Sequence, residues 1–137
     1  GLGALTEFAI KKAGLLMAFE IDKNMVNILT KTFENDDNII INNIDFLKVN
    51  IESLIQEIHE KGYNDIVVLS NLPYYITSKL LNKILVNNIN IRCIVAMMQK
   101  EVGQKICAQK GGKEYNNLSI LSSYYSDCSI VLQVSKV

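Results

Sequence analysis

The residues best suited to chemistry are Asn71, Leu72, Pro73 and Tyr74, which follow an apolar run of strand length. The exocyclic nitrogen of adenine is a weak nucleophile because its lone pair is delocalised into the ring. Two hydrogen-bond acceptors, the Asn71 side-chain oxygen and the Leu72 backbone carbonyl, would localise that pair. Pro73 favours an extended residue before it, and Tyr74 offers a flat face for an unstacked base. The motif therefore predicts methyl transfer from a sulfonium to adenine, a reaction that needs no tuned general base.

Two earlier segments have residues suited to binding a nucleotide cofactor. Gly1 and Gly3 precede a predicted helix, where glycines allow backbone to approach a ligand and helix N–H groups can bind it. Glu20 ends the next predicted strand, a position from which a carboxylate can accept both ribose hydroxyl hydrogens. We assign the neighbouring Asp22 to a helix N-cap instead. Each signal is weak alone, since glycine turns and capping aspartates are common.

A third segment follows the next predicted strand. The carboxylate of Asp45 can accept a hydrogen bond from an adenine amine, and the ring of Phe46 can pack on the base. Taken alone, the pair is better explained as a surface aspartate and a core phenylalanine. The sole histidine, His59, lies within a predicted helix and is expected to face solvent.

The candidate residues must be positioned by strands and helices, which the hydrophobic pattern predicts. Apolar runs of strand length alternate with segments of helical period along the chain. The pattern predicts strands over residues 15–19, 39–41, 66–69, 91–98 and 129–134. It predicts helices over residues 4–13, 22–33, 51–61, 77–87, 101–109 and 118–125. Continuously apolar strands joined by helices favour a doubly wound, mostly parallel sheet of the α/β class, buried on both faces. Ligands of such sheets bind beyond the carboxyl ends of the strands, where all three segments and the motif lie.

Composition limits the remaining options. The 14 basic and 14 acidic residues balance, so net charge argues neither for nor against a nucleic-acid partner. The three cysteines are widely spaced, which predicts reduced, mostly buried thiols rather than a disulfide framework, and no metal site. No apolar stretch approaches the ~20 residues that span a bilayer, so we expect no membrane partner.

Taken in order, these segments resemble the ribosomal RNA adenine N6,N6-dimethyltransferase family, and specifically its small-subunit (KsgA-type) branch. The resemblance covers nearly the whole chain, and its segments are residues 1–6, 19–22, 43–46, 71–74, 98–102 and 113–119. It implies a Rossmann-like class I methyltransferase core that uses S-adenosylmethionine. The implied reaction is dimethylation of adjacent adenines in small-subunit (16S-type) ribosomal RNA, during ribosome biogenesis. We accordingly expect a cytoplasmic monomer that works on the pre-ribosomal small subunit.

The resemblance also assigns roles to residues. It implies that Gly1 and Gly3 lie near the methionine moiety of the cofactor and that Glu20 binds the ribose. Asp45 and Phe46 would hold the cofactor adenine. Asn71 would contact cofactor as well as substrate, while Leu72, Pro73 and Tyr74 complete the catalytic motif. Lys100, Lys110 and Lys113 are candidate phosphate contacts, although solvated charges are as plausible there.

The sequence departs from the family pattern at both ends. The strand before Gly1 and the smaller helical domain expected after Val137 are absent, so we expect a catalytic domain truncated on both sides. That expectation puts cofactor binding and activity of the isolated piece in doubt.

Three rivals stay open. The large-subunit branch, of the macrolide-resistance type, shares the motif, although Leu72 and residues 113–119 favour the small-subunit branch. A nicotinamide-dependent oxidoreductase also fits the glycines and Glu20 but leaves the motif unexplained. A non-catalytic RNA-binding assembly factor could keep the fold without the reaction.

Overall fold

The computed structural model describes residues 3–72, 75–87 and 90–134. The chain forms two compact units, Gly1–Asp65 and Ile66–Val137. We call them unit 1 and unit 2 and describe each separately. Gly1, Pro73 and Tyr74, which the sequence singled out, lie outside the described residues.

The described residues of unit 1 form two parallel strands and three α-helices. Its elements are α1 (Ala4–Ala9), β1 (Leu16–Phe19), α2 (Lys23–Thr32), β2 (Ile39–Asn42), a 3₁₀ turn (Phe46–Lys48) and α3 (Ile51–Glu60). Strands β1 and β2 pair in parallel with Leu16 opposite Ile39 and Phe19 opposite Asn42. A parallel pair joined by a crossover helix is the repeating unit that the sequence predicted.

Polar caps fix the helix ends in unit 1. Asp22 accepts a hydrogen bond from the Asn24 N–H at 2.8 Å, which confirms its assignment as the N-cap of α2. Asn50 caps α3 in the same way through the Ser53 N–H at 2.9 Å. Gly62 follows α3 with φ of 88°, a conformation that glycine adopts without strain. These local signals explain why the predicted bounds of α2 and α3 agree with the observed ones to within two residues.

The core of unit 1 lies between α2 and the strands. Ile10, Leu29 and Phe33 are buried, and Leu16, Ile39 and Ile41 pack against them. Helix α1 ends at Ala9, earlier than the predicted residue 13. The Asn38 side chain donates to the carbonyls of Ile10 and Ala13, at 3.1 and 2.8 Å. The Asn38 side chain thereby provides hydrogen bonds to two backbone carbonyls just after α1. In a helix that continued to residue 13, these carbonyls would have belonged to the last turn and lacked partners within the helix.

Unit 2 repeats the parallel arrangement. Its elements are β3 (Ile66–Asn71), α4 (Thr77–Val86), β4 (Ile91–Met97), α5 (Lys100–Ile106) and α6 (Asn117–Tyr125). Strand β3 pairs in parallel with β4, with Val68 opposite Ile94 and Asn71 opposite Met97. Leu81, Val102 and Ile106 form the buried cluster, against which Ile94 and Leu118 pack. The α/β class with parallel strands is confirmed.

Three sequence expectations differ from the structure in unit 2. Residues 126–134 form no strand, and Val131 and Leu132 are 85% and 76% exposed, because no strand among the described residues pairs with them. The β3–β4 pair is not buried on both faces: burial alternates along β3, and Val67 and Leu69 are exposed. The cysteines are not mostly buried either, since Cys93 and Cys128 are exposed and Cys107 is half-buried. Apolar character predicts burial only where a neighbouring element covers the side chain.

None of the helices in the described part of the chain combines the length and apolarity required to cross a bilayer.

Candidate active site

Glu20 lies at the carboxyl end of β1, as the sequence predicted. Its backbone N–H donates to the Asn42 carbonyl at 3.0 Å, which continues the ladder with β2 past the last strand residue. Its half-buried side chain accepts a hydrogen bond from the Asp22 N–H at 3.0 Å. A carboxylate accepts up to about four hydrogen bonds, so this contact is compatible with binding the two hydroxyl groups of a ribose. The bond also holds the Glu20 carboxylate in one orientation.

Asp45 and Phe46 lie just beyond the carboxyl end of β2. The Asp45 side chain accepts a hydrogen bond from the Leu47 N–H at 2.9 Å and begins the 3₁₀ turn. The Phe46 ring meets the Phe19 ring edge to face, with centroids 5.0 Å apart and planes at 76°. Phe19 is the last residue of β1 and immediately precedes Glu20. The parallel pairing of β1 with β2 thus brings the predicted ribose and adenine residues to one edge of the sheet.

Asn43 also lies at this edge, within the segment 43–46, although the sequence assigned it no role of its own. Its side-chain amide donates to the carbonyls of Glu20 and Ile21, at 3.0 and 3.1 Å. It therefore ties the loop after β2 to the loop after β1. The available signal was an asparagine directly after a strand, a residue type whose amide often binds nearby backbone. The partners lie more than twenty positions away in sequence, so this signal could not identify them.

Gly3 is required for a reason beyond the one the sequence suggested. It precedes α1 with φ of 88°, in the left-handed region. A Cβ there would lie 2.8 Å from Cδ2 of Leu29 and 3.1 Å from the Phe33 ring. Close packing on the core of unit 1, as well as backbone conformation, excludes a side chain at this position.

In unit 2, Asn71 is the last residue of β3 and its side chain is exposed. The next residue, Leu72, donates its N–H to the Met97 carbonyl at 2.8 Å and buries its side chain. This hydrogen bond continues the β3–β4 pairing past Asn71 and fixes the peptide group before Leu72. The backbone that carries the Asn71 side chain is thus held by β4 at the carboxyl end of β3.

The three lysines proposed to contact RNA lie in unit 2. Lys100 begins α5, and Lys110 and Lys113 lie on the turn between α5 and α6, where all three are exposed. Asn116 closes this turn, because its side chain donates to the Lys105 carbonyl at 3.1 Å and accepts from the Leu118 N–H at 2.7 Å. Lys105, in the last turn of α5, is exposed as well.

The side chains at these strand ends offer carboxylate and amide oxygens and an aromatic ring. No group of three or more metal-binding side chains occurs among residues 3–72, 75–87 and 90–134. The unit 1 edge provides a carboxylate for a diol, a second carboxylate and an aromatic ring, a donor set that fits the adenosine part of S-adenosylmethionine. The unit 2 strand end provides hydrogen-bond acceptors.

Both the sequence and the fold have counterparts among known proteins. The sequence model of the family described as "Ribosomal RNA adenine dimethylase" matches residues 1–137. The "Ribosomal RNA small subunit methyltransferase A" of Bacillus cytotoxicus is 43% identical over 136 residues, which cover 99% of this chain and 46% of the relative. The protein of the same name from Bacillus mycoides is 42% identical over 136 residues, with the same coverage. The chain thus spans about half the length of the curated relatives it matches.

A solved structure extends the comparison to the fold. The crystal structure of the 23S rRNA methyltransferase ErmE superposes with a TM-score of 0.59 and covers 81% of this chain and 41% of its own. Sequence identity in that superposition is 22%. This likeness confirms a class I methyltransferase fold.

Proposed function

The chain belongs to the ribosomal RNA adenine dimethylase family, and from this we propose that it is the catalytic portion of an S-adenosylmethionine-dependent enzyme. The reaction we propose is transfer of two methyl groups to N6 of adjacent adenines in small-subunit ribosomal RNA. The observation that carries the proposal is Asn71, exposed at the carboxyl end of β3 and followed by a peptide anchored on Met97. Membership in this family excludes the nicotinamide-dependent oxidoreductase, whose reaction does not require the motif of residues 71–74.

Unit 1 supplies the residues that would bind the cofactor. Glu20, held by the Asp22 N–H, would accept the ribose hydroxyls. Asp45 would accept a hydrogen bond from the cofactor adenine, and Phe46, supported edge-on by Phe19, would pack against that ring. Gly3 would lie near the methionine part, as would Gly1, which is outside the described residues. When bound, S-adenosylmethionine supplies an electrophilic methyl group on its sulfonium sulfur.

Unit 2 supplies the residues that would activate the substrate. The Asn71 amide oxygen and the Leu72 carbonyl would accept hydrogen bonds from the two N–H groups of the target amine. These acceptors favour a tetrahedral nitrogen, which localises the lone pair that attacks the methyl carbon. Asn71 would also contact the cofactor. Pro73 and Tyr74, for which we propose backbone restriction and base stacking, complete the motif.

Small-subunit RNA is the target we favour over large-subunit RNA. The two Bacillus relatives that match 99% of this chain are named as small-subunit methyltransferases. The likeness to ErmE, at 22% identity, concerns the fold alone. We place the protein in the cytoplasm as a monomer, with the pre-ribosomal small subunit as its partner and Lys100, Lys110 and Lys113 as phosphate contacts.

The test is a methyl-transfer assay in a chimaera. The 137 residues replace the matching segment of the full-length B. cytotoxicus relative, which supplies the remaining parts of the protein. The chimaera is incubated with labelled S-adenosylmethionine and small ribosomal subunits that lack adenine dimethylation, and the RNA is digested to nucleosides. We expect the label in N6,N6-dimethyladenosine.

Two controls make the assay decisive. Asn71→Ala should lower the rate by about a hundredfold or more, the usual effect of losing one transition-state hydrogen bond, whereas Asn82→Ala on the exposed side of α4 should not change it. Label only in large-subunit RNA, supplied in parallel, would move the chain to the resistance branch. No label in either RNA, from a chimaera that binds small subunits, would favour the assembly factor.

A further inference from the structure

Two of the three cysteines meet in unit 2, and neither is among the residues assigned to methyl transfer. Cys107 forms the C-cap of α5, is half-buried and packs against the cluster of Leu81, Val102 and Ile106. Cys128 lies in the irregular segment after α6 and is exposed. Their sulfur atoms are 2.8 Å apart, and both side chains are free thiols. The separation of 21 positions in sequence hides this pair from motif analysis.

We propose that Cys107 and Cys128 are a modification site, at which a low-molecular-weight disulfide such as oxidised glutathione converts the two thiols to an intramolecular disulfide. In the first step one cysteine thiolate attacks a sulfur of oxidised glutathione, which forms a mixed disulfide and releases one glutathione. In the second step the other cysteine attacks the protein sulfur of that mixed disulfide and releases the second glutathione. The protein loses two electrons and two protons, and the two glutathione thiols gain them.

The geometry favours the second step over accumulation of the mixed disulfide. Two sulfurs held in contact react as an intramolecular pair, and such pairs have effective concentrations far above any glutathione concentration in solution. Cys93 provides the internal contrast. It lies on β4, is exposed, and sits opposite Val67 in the β3–β4 register, so its reaction should stop at the mixed disulfide.

The Cys107–Cys128 disulfide would attach the segment after α6 to the end of α5. Cys107 is fixed by its backbone hydrogen bond to Gly103 and by the core cluster of unit 2. Residues 126–134 have no regular structure and carry exposed apolar side chains. Oxidation would therefore join this irregular segment covalently to the end of α5, and reduction would release it.

The test is mass spectrometry of the purified chain after incubation with oxidised glutathione in metal-chelating buffer. We expect a tryptic peptide pair linked through Cys107 and Cys128, and a glutathione adduct at Cys93 alone. In Cys93→Ser only the linked pair should form. Cys107→Ser and Cys128→Ser should each carry glutathione on the remaining member of the pair. Glutathione on Cys107 and Cys128 together, or a linkage through Cys93, would overturn the proposal.

A comparison with the unfolded protein shows whether ring closure depends on the folded structure or only on the sequence separation of the two cysteines. The same incubation in urea keeps the sequence separation but removes the contact between the sulfurs. Ring closure should be faster in the folded protein by about tenfold or more. Equal rates of closure in both conditions would mean that the fold contributes nothing and would also overturn the proposal. Neither experiment depends on methyl transfer, so the outcome is independent of the proposed function.

Discussion

The side-chain amide of Asn43 donates a hydrogen bond to the backbone carbonyl of Glu20 at 3.0 Å. A second hydrogen bond from the same amide reaches the Ile21 carbonyl at 3.1 Å. The loops after β1 and β2 are thereby joined without a ligand. Since we propose that these loops bind the ribose and adenine of the cofactor, Asn43 acts as a positioning residue that prepares the site before binding.

Replacing Asn43 with alanine removes both donors and should weaken cofactor binding. Each hydrogen bond contributes about 0.5–1 kcal/mol at an exposed site, so loss of both should raise the Kd for S-adenosylmethionine by about five- to thirtyfold. The measurement is titration calorimetry on the chimaera. Asn27→Ala, on an exposed position of α2, is the control and should leave the Kd unchanged. An unchanged Kd in Asn43→Ala would show that the loops keep their arrangement without it.

Replacing Lys100, Lys110 and Lys113 together with alanine should weaken RNA binding mainly through electrostatics. A protein that loses three phosphate contacts releases about two to three fewer counterions, so the plot of log K against log salt should flatten by about that amount. Fluorescence anisotropy with small-subunit RNA between low and physiological salt measures the slope. The control replaces three exposed lysines of unit 1, Lys12, Lys31 and Lys61. An equal change of slope in both triple variants would mean that the three unit 2 lysines affect RNA binding only through the overall charge of the protein.

Alanine substitutions at Gly3 and Gly62 distinguish the cost of backbone strain from the cost of steric crowding by the new side chain. Both have φ of 88°, but a Cβ on Gly3 meets Leu29 at 2.8 Å whereas a Cβ on Gly62 meets nothing within 4 Å. Gly62→Ala should lower the free energy of unfolding by about 1–2 kcal/mol from strain alone. Gly3→Ala should cost about 1–3 kcal/mol more, because the core must also shift. Urea unfolding of the two variants measures both values, and equal losses would refute the role assigned to packing.

The stability of the reduced protein should fall at alkaline pH because of Cys128. Burial of its sulfur and its hydrogen bond with Cys107 raise the pKa of the Cys128 thiol from 9.0 to about 12, although much of the residue is exposed. Above pH 9 the unfolded chain releases this proton while the folded protein retains it. The contribution to stability is therefore complete below pH 9 and is lost as the pH rises towards 12.

Urea midpoints in reducing buffer at pH 8 and pH 10.5 test this dependence. Tyrosine and lysine side chains also titrate in that range, so the comparison is between the unmodified protein and Cys128→Ser. We expect the unmodified protein to lose more stability over the interval than the variant does. Parallel losses in the two proteins would show that the thiol pair has no protonation-linked role.

The amino-acid sequence by itself determined most of the secondary structure and the position of the motif. Hydrophobic periodicity and caps such as Asp22 and Gly62 act within one helical turn, so they can be recognised without knowing the fold. The order of strands and helices then placed Glu20, Asp45 and Asn71 at carboxyl ends of parallel strands, which the structure confirms for each unit. Their roles in binding and catalysis stay predictions.

Only the tertiary structure decided which distant residues meet. The apolar pattern of residues 129–134 predicted a strand, yet a strand forms only where another strand completes its hydrogen bonds, and none among the described residues does so. The contacts of Asn43 with Glu20 and of Cys107 with Cys128 join positions separated by 23 and 21 residues. No local pattern encodes such contacts, because they depend on how paired strands and packed helices bring separate loops together.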